Sequence, residues 1–339
     1  MIKIAIIGAG KVAKNVHLPS WNKISNVSVV GVIDKDIVKA RTFSKVNNIK
    51  YYSNSLVSLL KITNLDAVDI CTSNKSHHQI IVDSLNRNLN VICEKPFTLK
   101  AKNIDEIIKL SQKNKLVCLS AQHQRFRLPS IKLKELMNKK KLGDIYSIHV
   151  ECNFNYAEAI RNKNFYLKKL SGGGPLIDLG SHFIDLILWL LNNPTPSTVS
   201  CFTTSILSKN LKNISKINKN ADIEDYSKSF IKFSKKLVLS LELSYLNNSN
   251  IEKTQEIILQ GTKQKITWPK MISTKLLNKN STHKIIEKKK ASQLMLENFV
   301  NCIKYKKYSN KDLLIIKKSI KIIELLYRSA KIGKEVKFE

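Results

Sequence analysis

The chain has 339 residues and carries 58 Lys and Arg residues against 26 Asp and Glu residues, a formal net charge of +32. This length is typical of two domains of ordinary size. A hydrophobic share of 43% is enough for packed cores and excludes an intrinsically disordered chain. No run of about 18 uncharged apolar residues occurs, so we expect no transmembrane helix and no membrane partner.

The positive charge comes almost entirely from lysine, because only six of the 58 basic residues are arginine. The lysines are spread along the whole chain, often beside Asn and Ile. Arginine makes most of the base-reading and phosphate-clamping contacts in nucleic-acid-binding proteins. We therefore expect no specific nucleic-acid partner, only a weak attraction that salt abolishes.

The N-terminus begins with the apolar run MIKIAII, which leads directly into a glycine turn. It lacks the longer apolar core and the cleavage site of a secretory signal peptide. The six cysteines are scattered and form no Cys-x-x-Cys pair. These features predict reduced thiols in a cytoplasmic protein, and no Cys/His group has the spacing of a zinc site, so we predict no metal.

Short apolar runs rich in Val and Ile alternate with helical patterns over the first 120 or so residues. Such runs are typical of strands buried on both faces of a parallel sheet. The alternation predicts a doubly wound α/β sheet of the Rossmann type in a domain over residues 1–122. The predicted strands are 2–7, 27–33, 66–71, 90–93 and 116–121, and the predicted helices lie near 11–24, 36–47, 54–62, 76–88 and 100–114.

The pattern changes after residue 122. A helical pattern over 127–141 precedes a long strand-like run over 144–156, and further strand-like runs follow one another without helices between them. This order predicts an α+β domain over residues 123–339 with a mixed or antiparallel sheet. The two closing helices predicted over 291–331 can pack back on the first domain.

A glycine turn joins the first strand to the first helix. Gly8 and Gly10 stand in a G-x-G-x-x-A pattern in which a tight turn lets the backbone approach a pyrophosphate at a helix N-terminus. Asp34 ends the second strand, 24 residues after Gly10, where a ribose-binding carboxylate belongs. The alternative is an ordinary turn with Asp34 capping the next helix, but the strand–turn–helix context favours a dinucleotide site.

Two further motifs contain groups suited to proton transfer. Lys95 follows the fifth strand in the tripeptide Glu-Lys-Pro, at the sheet edge where ligands bind in such folds. Asp178 and His182 lie four residues apart after a run of three glycines, and this spacing puts them on one helix face. The three glycines indicate that the backbone passes very close to another group. Taken singly, a solvated lysine and a helix-stabilising Asp–His pair explain these motifs equally well.

Together the motifs resemble those of the glucose–fructose oxidoreductase / inositol dehydrogenase / rhizopine-catabolism (Gfo/Idh/MocA) family of NAD(P)-dependent oxidoreductases. The matching segments run in family order over nearly the whole chain: GAGKVA, CTSNKSHH, CEKPFTL, QHQRF, GGGPLIDLGSHFIDL and the closing YRSAKIGKEVKF. The resemblance implies a hydride transfer between the nicotinamide and a hydroxyl or carbonyl carbon of a sugar, cyclitol or nucleotide-sugar substrate. It also implies subunit pairing through the second sheet, and hence a homodimer or homotetramer.

The resemblance assigns roles to individual residues. The catalytic set is Lys95, Asp178 and His182, and the same three residues bind the substrate with His123, Gln124 and Arg125. The cofactor residues are Gly8, Gly10, Lys11, Val12, Asp34, Lys35, Thr72, Ser73, Asn74, His77 and Glu94.

Three positions need a separate comment, because one differs from the family pattern and two have alternative interpretations. Family members usually have proline at the position of Ser73, so this departure loosens the predicted loop. Asp34 favours NAD, although the adjacent Lys35 leaves NADP open. His17 is interpreted as a helix or surface residue.

The competing hypothesis is a non-catalytic dinucleotide or sugar sensor on the same fold. Such a protein would have lost Lys95, Asp178 or His182, and all three are present.

Overall fold

The computed structural model describes residues 1–154, 167–206, 221–234, 236–246, 253–275, 281–282 and 288–339. The chain divides into two compact units. The first consists of Met1–Phe126 and Lys288–Lys317, and the second of Arg127–Glu287 and Lys318–Glu339. Within the described ranges, every helix is too short or too polar to span a lipid bilayer.

The first unit contains a six-stranded sheet in the order β3-β2-β1-β4-β5-β6, and every strand pair in it is parallel. The predicted doubly wound sheet is therefore confirmed, although the sequence pattern missed the short β3. Because β1 lies between β2 and β4, the chain reverses its direction of winding there, and ligands bind at the carboxyl edge of such a point. The strands are β1 (Ile2–Ile7), β2 (Val27–Ile33), β3 (Tyr51–Ser53), β4 (Ala67–Ile70), β5 (Asn90–Cys93) and β6 (Cys118–Ser120).

Helices connect these strands, and side chains in the preceding turns cap two of them. Asp36 accepts hydrogen bonds from the backbone N–H groups of Val38 and Lys39 at the start of α2, and Ser55 caps α3 in the same way. The first helix has π geometry over Ala13–His17 before it continues as α1. The helices are α1 (Leu18–Trp21), α2 (Ile37–Val46), α3 (Leu56–Leu60), α4 (His77–Asn86) and α5 (Asn103–Lys113), with 3₁₀ turns at Asn74–Ser76 and His123–Phe126.

The second unit contains a nine-stranded sheet in the order β14-β13-β12-β11-β7-β10-β9-β8-β15. β7 pairs in parallel with β10 and antiparallel with β11, so the sheet is mixed, as predicted. Alternate residues such as Val150 and Leu241 are fully buried, which leaves the other face of the sheet more exposed. The strands are β7 (Ile145–Phe154), β8 (Thr198–Thr204), β9 (Tyr226–Ser234), β10 (Leu237–Ser244), β11 (Lys253–Gly261), β12 (Lys265–Trp268), β13 (Ile272–Thr274), β14 (Ser281–Thr282) and β15 (Val336–Lys337).

The helices of this unit are α6 (Leu128–Asn138), α7 (Lys168–Ser171), α8 (Pro175–Asp178) and α9 (Gly180–Leu190). α9 is apolar on nearly all sides, which is typical of a helix buried in a core. Its carboxyl end is capped by lysine, because the Lys134 ammonium lies 2.7 Å from the carbonyl oxygen of Trp189 and 3.0 Å from that of Leu190. A cation at this end also complements the helix dipole.

The closing helices are α10 (Ala291–Lys304) and α11 (Lys311–Ile332). α10 belongs to the first unit, where Phe299 packs edge-on against Trp21 with ring centroids 6.3 Å apart. Two ion pairs hold the beginning of α11 within the first unit. Arg125 contacts Asp312 at 2.6 Å, and Lys317 contacts Asp105 at 2.6 Å.

Candidate cofactor and active site

The glycine turn lies where β1, β2 and β4 end together. Gly8 has a φ of +106°, and a Cβ there would lie 2.6 Å from the carbonyl oxygen of Cys71. Only glycine fits that position without strain. At Gly10, in contrast, no atom of the described residues other than its chain neighbours lies within 4 Å of the place a Cβ would occupy. Lys11 and Val12 follow as exposed residues, so the backbone at Gly10 is open to a bound pyrophosphate and the residues fit a dinucleotide.

Asp34 follows β2 and is held by two backbone groups. Its Oδ2 accepts a hydrogen bond from the N–H of Ala9 at 3.0 Å, and its Oδ1 accepts one from the N–H of Asp36 at 3.0 Å. The carboxylate is thereby fixed beside the glycine turn, with lone pairs left for ribose hydroxyls. Lys35 is exposed next to it.

The segment after β4 forms a compact turn. The Ser76 hydroxyl lies 2.8 Å from the Thr72 hydroxyl and 2.8 Å from the carbonyl oxygen of Ser73. Ser73 has φ −72° and ψ 146°, a backbone conformation that proline also adopts. The serine therefore keeps the turn geometry that the family's usual proline would impose. Thr72, Ser73 and Asn74 all lie at the carboxyl edge of the sheet.

His77 is fully buried between two strand-end loops. Its Nδ1 lies 2.9 Å from the carbonyl oxygen of Pro96, and its Nε2 lies 3.1 Å from that of Thr72. Burial lowers the pKa of His77, and a neutral imidazole donates to only one of the two carbonyls at a time. The side chain thus holds together the loops after β4 and β5, and the position along the cofactor that the resemblance implies for His77 stays a prediction.

His17 lies in the first helical segment, as interpreted, but it is not a surface residue, because its side chain has no exposed surface. Its Nδ1 lies 2.8 Å from Oδ2 of Asp69, and its Nε2 lies 2.7 Å from Oε1 of Glu94. Trp21 donates to the same Asp69 oxygen at 2.7 Å. Asp69 is fully buried in β4, and a buried carboxylate requires such partners. An aspartate inside an otherwise apolar strand was the sequence signal that could have indicated this cluster.

His17, Asp69 and Cys71 also form a group of potential metal ligands, whose ligand atoms lie within 4.8 Å of one another. Hydrogen bonds account for this proximity. Both nitrogens of His17 already contact carboxylates, and burial raises the pKa of the Cys71 thiol to about 12. The absence of a metal remains a prediction from the sequence.

Lys95 follows Glu94 at the end of β5, and its backbone N–H donates a hydrogen bond of 2.9 Å to Oε2 of Glu94. His123 and Gln124 lie in the 3₁₀ turn after β6. Arg125 in the same turn is buried and forms the ion pair with Asp312 described above. Its predicted contact with substrate therefore competes with a structural ion pair.

In the second unit, Asp178 ends α8 and His182 lies in the first turn of α9, so the single helix predicted from their spacing is divided in two. The buried Tyr245 hydroxyl donates a hydrogen bond of 2.9 Å to Oδ2 of Asp178. Burial and the adjacent carboxylate both raise the pKa of Tyr245 well above its ordinary value. The hydroxyl therefore stays protonated and orients Asp178, a role that sequence reasoning missed.

The three glycines make room for two groups of this unit. A Cβ on Gly173 would collide with the Tyr327 hydroxyl, and one on Gly174 would collide with the backbone carbonyl of Glu224. The Tyr327 hydroxyl donates a hydrogen bond of 2.7 Å to Oε1 of Glu224. The close approach predicted from the glycines is therefore an approach to the protein's own residues, and it fixes the start of the segment that carries Asp178.

Comparisons with known proteins agree with this architecture. A family model described as the GFO_IDH_MocA oxidoreductase family with an NAD-binding Rossmann fold matches residues 2–123, and the model of the GFO/IDH/MocA C-terminal domain matches residues 130–267. The D-glucoside 3-dehydrogenase of Escherichia coli K12 is 30% identical over 206 residues, which are 59% of this chain and 56% of that protein. The chain spans a little over half the length of the curated relatives that it matches.

Solved structures are similar in fold at lower identity. The myo-inositol 2-dehydrogenase of Lactobacillus plantarum has a TM-score of 0.81 and 19% identity, and the match covers 100% of this chain and 99% of that one. The WlbA dehydrogenase of Bordetella pertussis, in complex with NADH and UDP-GlcNAcA, has a TM-score of 0.78 and 18% identity, with coverage of 100% and 99%.

The two glycines of the turn provide a matched pair of substitutions. Gly8→Ala should lower the free energy of unfolding by at least about 2 kcal/mol, because the new Cβ meets the Cys71 carbonyl at a positive φ. Gly10→Ala should unfold like the parent but bind NAD roughly tenfold more weakly, a loss of about 1.4 kcal/mol. Chemical denaturation and NAD titration measure the two effects. Equal loss of stability in both variants would contradict this account of the turn.

Proposed function

Because this chain belongs to the GFO/IDH/MocA family of oxidoreductases, we propose that it is an NAD-dependent dehydrogenase that acts on a hydroxyl-bearing carbon of a sugar, cyclitol or nucleotide sugar. The observation that carries this proposal is the common sheet edge of the first unit. The open backbone at Gly10, the fixed carboxylate of Asp34 and the Lys95 segment all follow strands that end there. The names of the relatives, which act on a glucoside or on myo-inositol, support the substrate class.

The residues of the first unit suit both cofactor binding and activation of the substrate oxygen. The backbone at Gly8 and Gly10 holds the pyrophosphate and Asp34 binds the adenosine ribose, while the segment from Thr72 to Asn74 lies along the nicotinamide ribose. When bound, the nicotinamide accepts the hydride that leaves the carbinol carbon. Lys95 donates a hydrogen bond to the oxygen of that carbon and stabilises the charge that develops on it.

The residues of the second unit suit removal of the proton. His182 takes the proton from the substrate hydroxyl, since an imidazole is the side chain best suited to general base chemistry near neutral pH. Asp178 stabilises the imidazolium that forms, and Tyr245 holds Asp178 in place through its hydrogen bond. The carbinol carbon thus loses a hydride, its hydroxyl oxygen loses a proton, and the C–OH group becomes a carbonyl.

The open face of the nine-stranded sheet supports self-association. Phe230 and Phe202 are 39% and 61% exposed, while Ile231 and Val199 on the same two strands are fully buried. Large exposed aromatic side chains on one sheet face are typical of interfaces. We place a homodimer or homotetramer contact on this face. We also place the protein in the cytoplasm, which the buried thiols of Cys71, Cys93 and Cys118 support.

The proposed catalytic residues can be tested by truncation. Lys95→Ala and His182→Ala should each lower kcat by about 10²–10⁴, because each removes a group that acts only on the reacting oxygen. The dissociation constant for NAD should change little. Lys100→Ala, at an exposed lysine near Lys95, is the control and should keep full activity. Steady-state kinetics over a panel of polyols, sugars and nucleotide sugars provides the measurement, and near-full turnover by both variants would refute the assignment.

The preference between cofactors depends on Asp34. A 2′-phosphate would meet this carboxylate at short range, so kcat/KM should be higher with NAD than with NADP. Asp34→Ser should weaken NAD and admit NADP, because it removes the like charge. Asp36→Ser is a matched control: it removes a carboxylate two residues away but keeps a residue that can cap α2. A parent protein that prefers NADP would show that Lys35 dominates the pocket.

The assembly can be tested by placing a charge on the open sheet face. The parent protein should be a dimer or tetramer by light scattering at micromolar concentration, and Phe230→Lys should shift it towards a smaller species by burying an unpaired charge. Tyr305→Lys changes an aromatic side chain that is 59% exposed in the first unit, and it should leave the mass unchanged. A monomeric parent protein would contradict the proposed interface.

A further inference from the structure

A continuous line of hydrogen bonds runs beneath the carboxyl edge of the first unit's sheet. It starts at Asp69 in β4, passes through both nitrogens of His17 to Oε1 of Glu94, and continues from Oε2 of Glu94 to the backbone N–H of Lys95. The three distances are 2.8, 2.7 and 2.9 Å. Asp69 and His17 have no exposed surface, and the Glu94 side chain is 17% exposed. The line therefore joins the interior of the sheet to Lys95.

The donors and acceptors of this line restrict where its protons lie. Trp21 can only donate to Oδ2 of Asp69, and Nδ1 of His17 lies 2.8 Å from the same oxygen, so an ionised Asp69 accepts from both. At the other nitrogen, a contact of 2.7 Å to Glu94 requires a proton between Nε2 and Oε1. That proton makes the ring an imidazolium if it sits on His17, or makes Glu94 a neutral acid.

The charges around the cluster favour the imidazolium. Burial alone would lower the pKa of His17, but Asp69 and Cys71 outweigh it and the pKa lies well above its ordinary value. Burial alone would raise the pKa of Glu94, but His17, Lys95 and His123 together lower it to about 2. In this line the His17 imidazolium lies between the carboxylates of Asp69 and Glu94. The other titratable groups that face it are the Cys71 thiol, Lys95 and His123.

We propose that His17 is a positioning residue for Lys95: as an imidazolium it holds the carboxylate of Glu94 in the orientation that fixes the Lys95 backbone. This inference rests on the proposed function of Lys95. His77 lies 2.9 Å from the carbonyl oxygen of Pro96. Both sequence neighbours of Lys95, Glu94 and Pro96, therefore contact a buried histidine. A shift of about 1 Å in a reacting group is enough to lower a rate by about 100-fold. The backbone of Lys95 must therefore be held closely in place.

The charge of His17 can be read without any substrate. In protein labelled with ¹⁵N-histidine, the seven histidines give ring resonances whose shifts distinguish imidazolium from neutral imidazole. The resonance that disappears in His17→Gln identifies His17. It should remain that of an imidazolium from pH 6 to pH 9, while exposed histidines titrate. A His17 ring that is neutral at pH 7 would overturn the proposal, whatever the protein catalyses.

A double-mutant cycle tests whether His17 acts on Lys95 through Glu94, with kcat as the measured quantity. His17→Gln and Glu94→Gln should each lower kcat by about 10- to 100-fold, and in His17→Gln the NAD dissociation constant should change less than about threefold. Because both act through one connection, the double variant should be no slower than the slower single variant. His78→Gln is the control. It alters the histidine next to His77 in the sequence, which pairs with Glu106 at the surface, and it should leave kcat unchanged.

The outcomes separate this inference from the proposed function. A parent protein that oxidises no member of the substrate panel refutes the function, while the NMR result still decides the charge of His17. An active parent protein with additive losses in the cycle, or with full kcat in His17→Gln, refutes the positioning role. If His17→Gln does not fold, the charge state is read from the parent protein by assigning His17 through its coupling to neighbouring residues. Glu94→Gln then decides the connection, because unchanged kcat in that variant refutes it.

Discussion

The first unit depends on the pairing of one buried carboxylate. Asp69 lies inside β4 with no exposed surface, and an unpaired charge there would cost several kcal/mol. His17 and Trp21 supply the partners, and both belong to the helical segment that follows the glycine turn. The same interaction therefore ties that segment to the sheet and, through the second nitrogen of His17, extends to the loop after β5. The segment after the glycine turn and the loop that carries Lys95 are therefore held by the same set of buried hydrogen bonds.

The second unit solves a similar problem with neutral partners. Glu224 is partly buried near the glycine run, where it accepts hydrogen bonds from the Tyr327 hydroxyl and from the backbone N–H of Leu176. Gly173 and Gly174 have no side chains that would keep these groups apart. The glycines are therefore required by packing, and the consequence for the site is indirect: they fix α8, at whose end Asp178 meets Tyr245.

Much of the fold could be predicted because apolar runs and glycine turns carry strong local signals. β1 and β2 have the bounds that their apolar runs indicate, whereas β3 is only three residues long and β8 alternates polar with apolar residues. The site is different, since its supporting contacts join residues far apart in sequence. Tyr245 reaches Asp178 across 67 positions and His17 reaches Glu94 across 77. No local pattern contains such pairs; a buried aspartate within a strand was the nearest signal.

Glu94 and Glu224, both partly buried, show how the charge of a partner decides the ionisation of a carboxyl group. Burial raises the pKa of both, yet Glu94 ends with a pKa of about 2 because a cationic ring contacts it. Glu224 keeps a raised pKa, since Tyr327 and a backbone N–H donate hydrogen bonds without bringing a charge. As the pH falls, Glu224 therefore takes up a proton well before Glu94 does. The carboxyl beside Lys95 stays charged under conditions that already neutralise the one beside the glycine run, because only the former is paired with a cation.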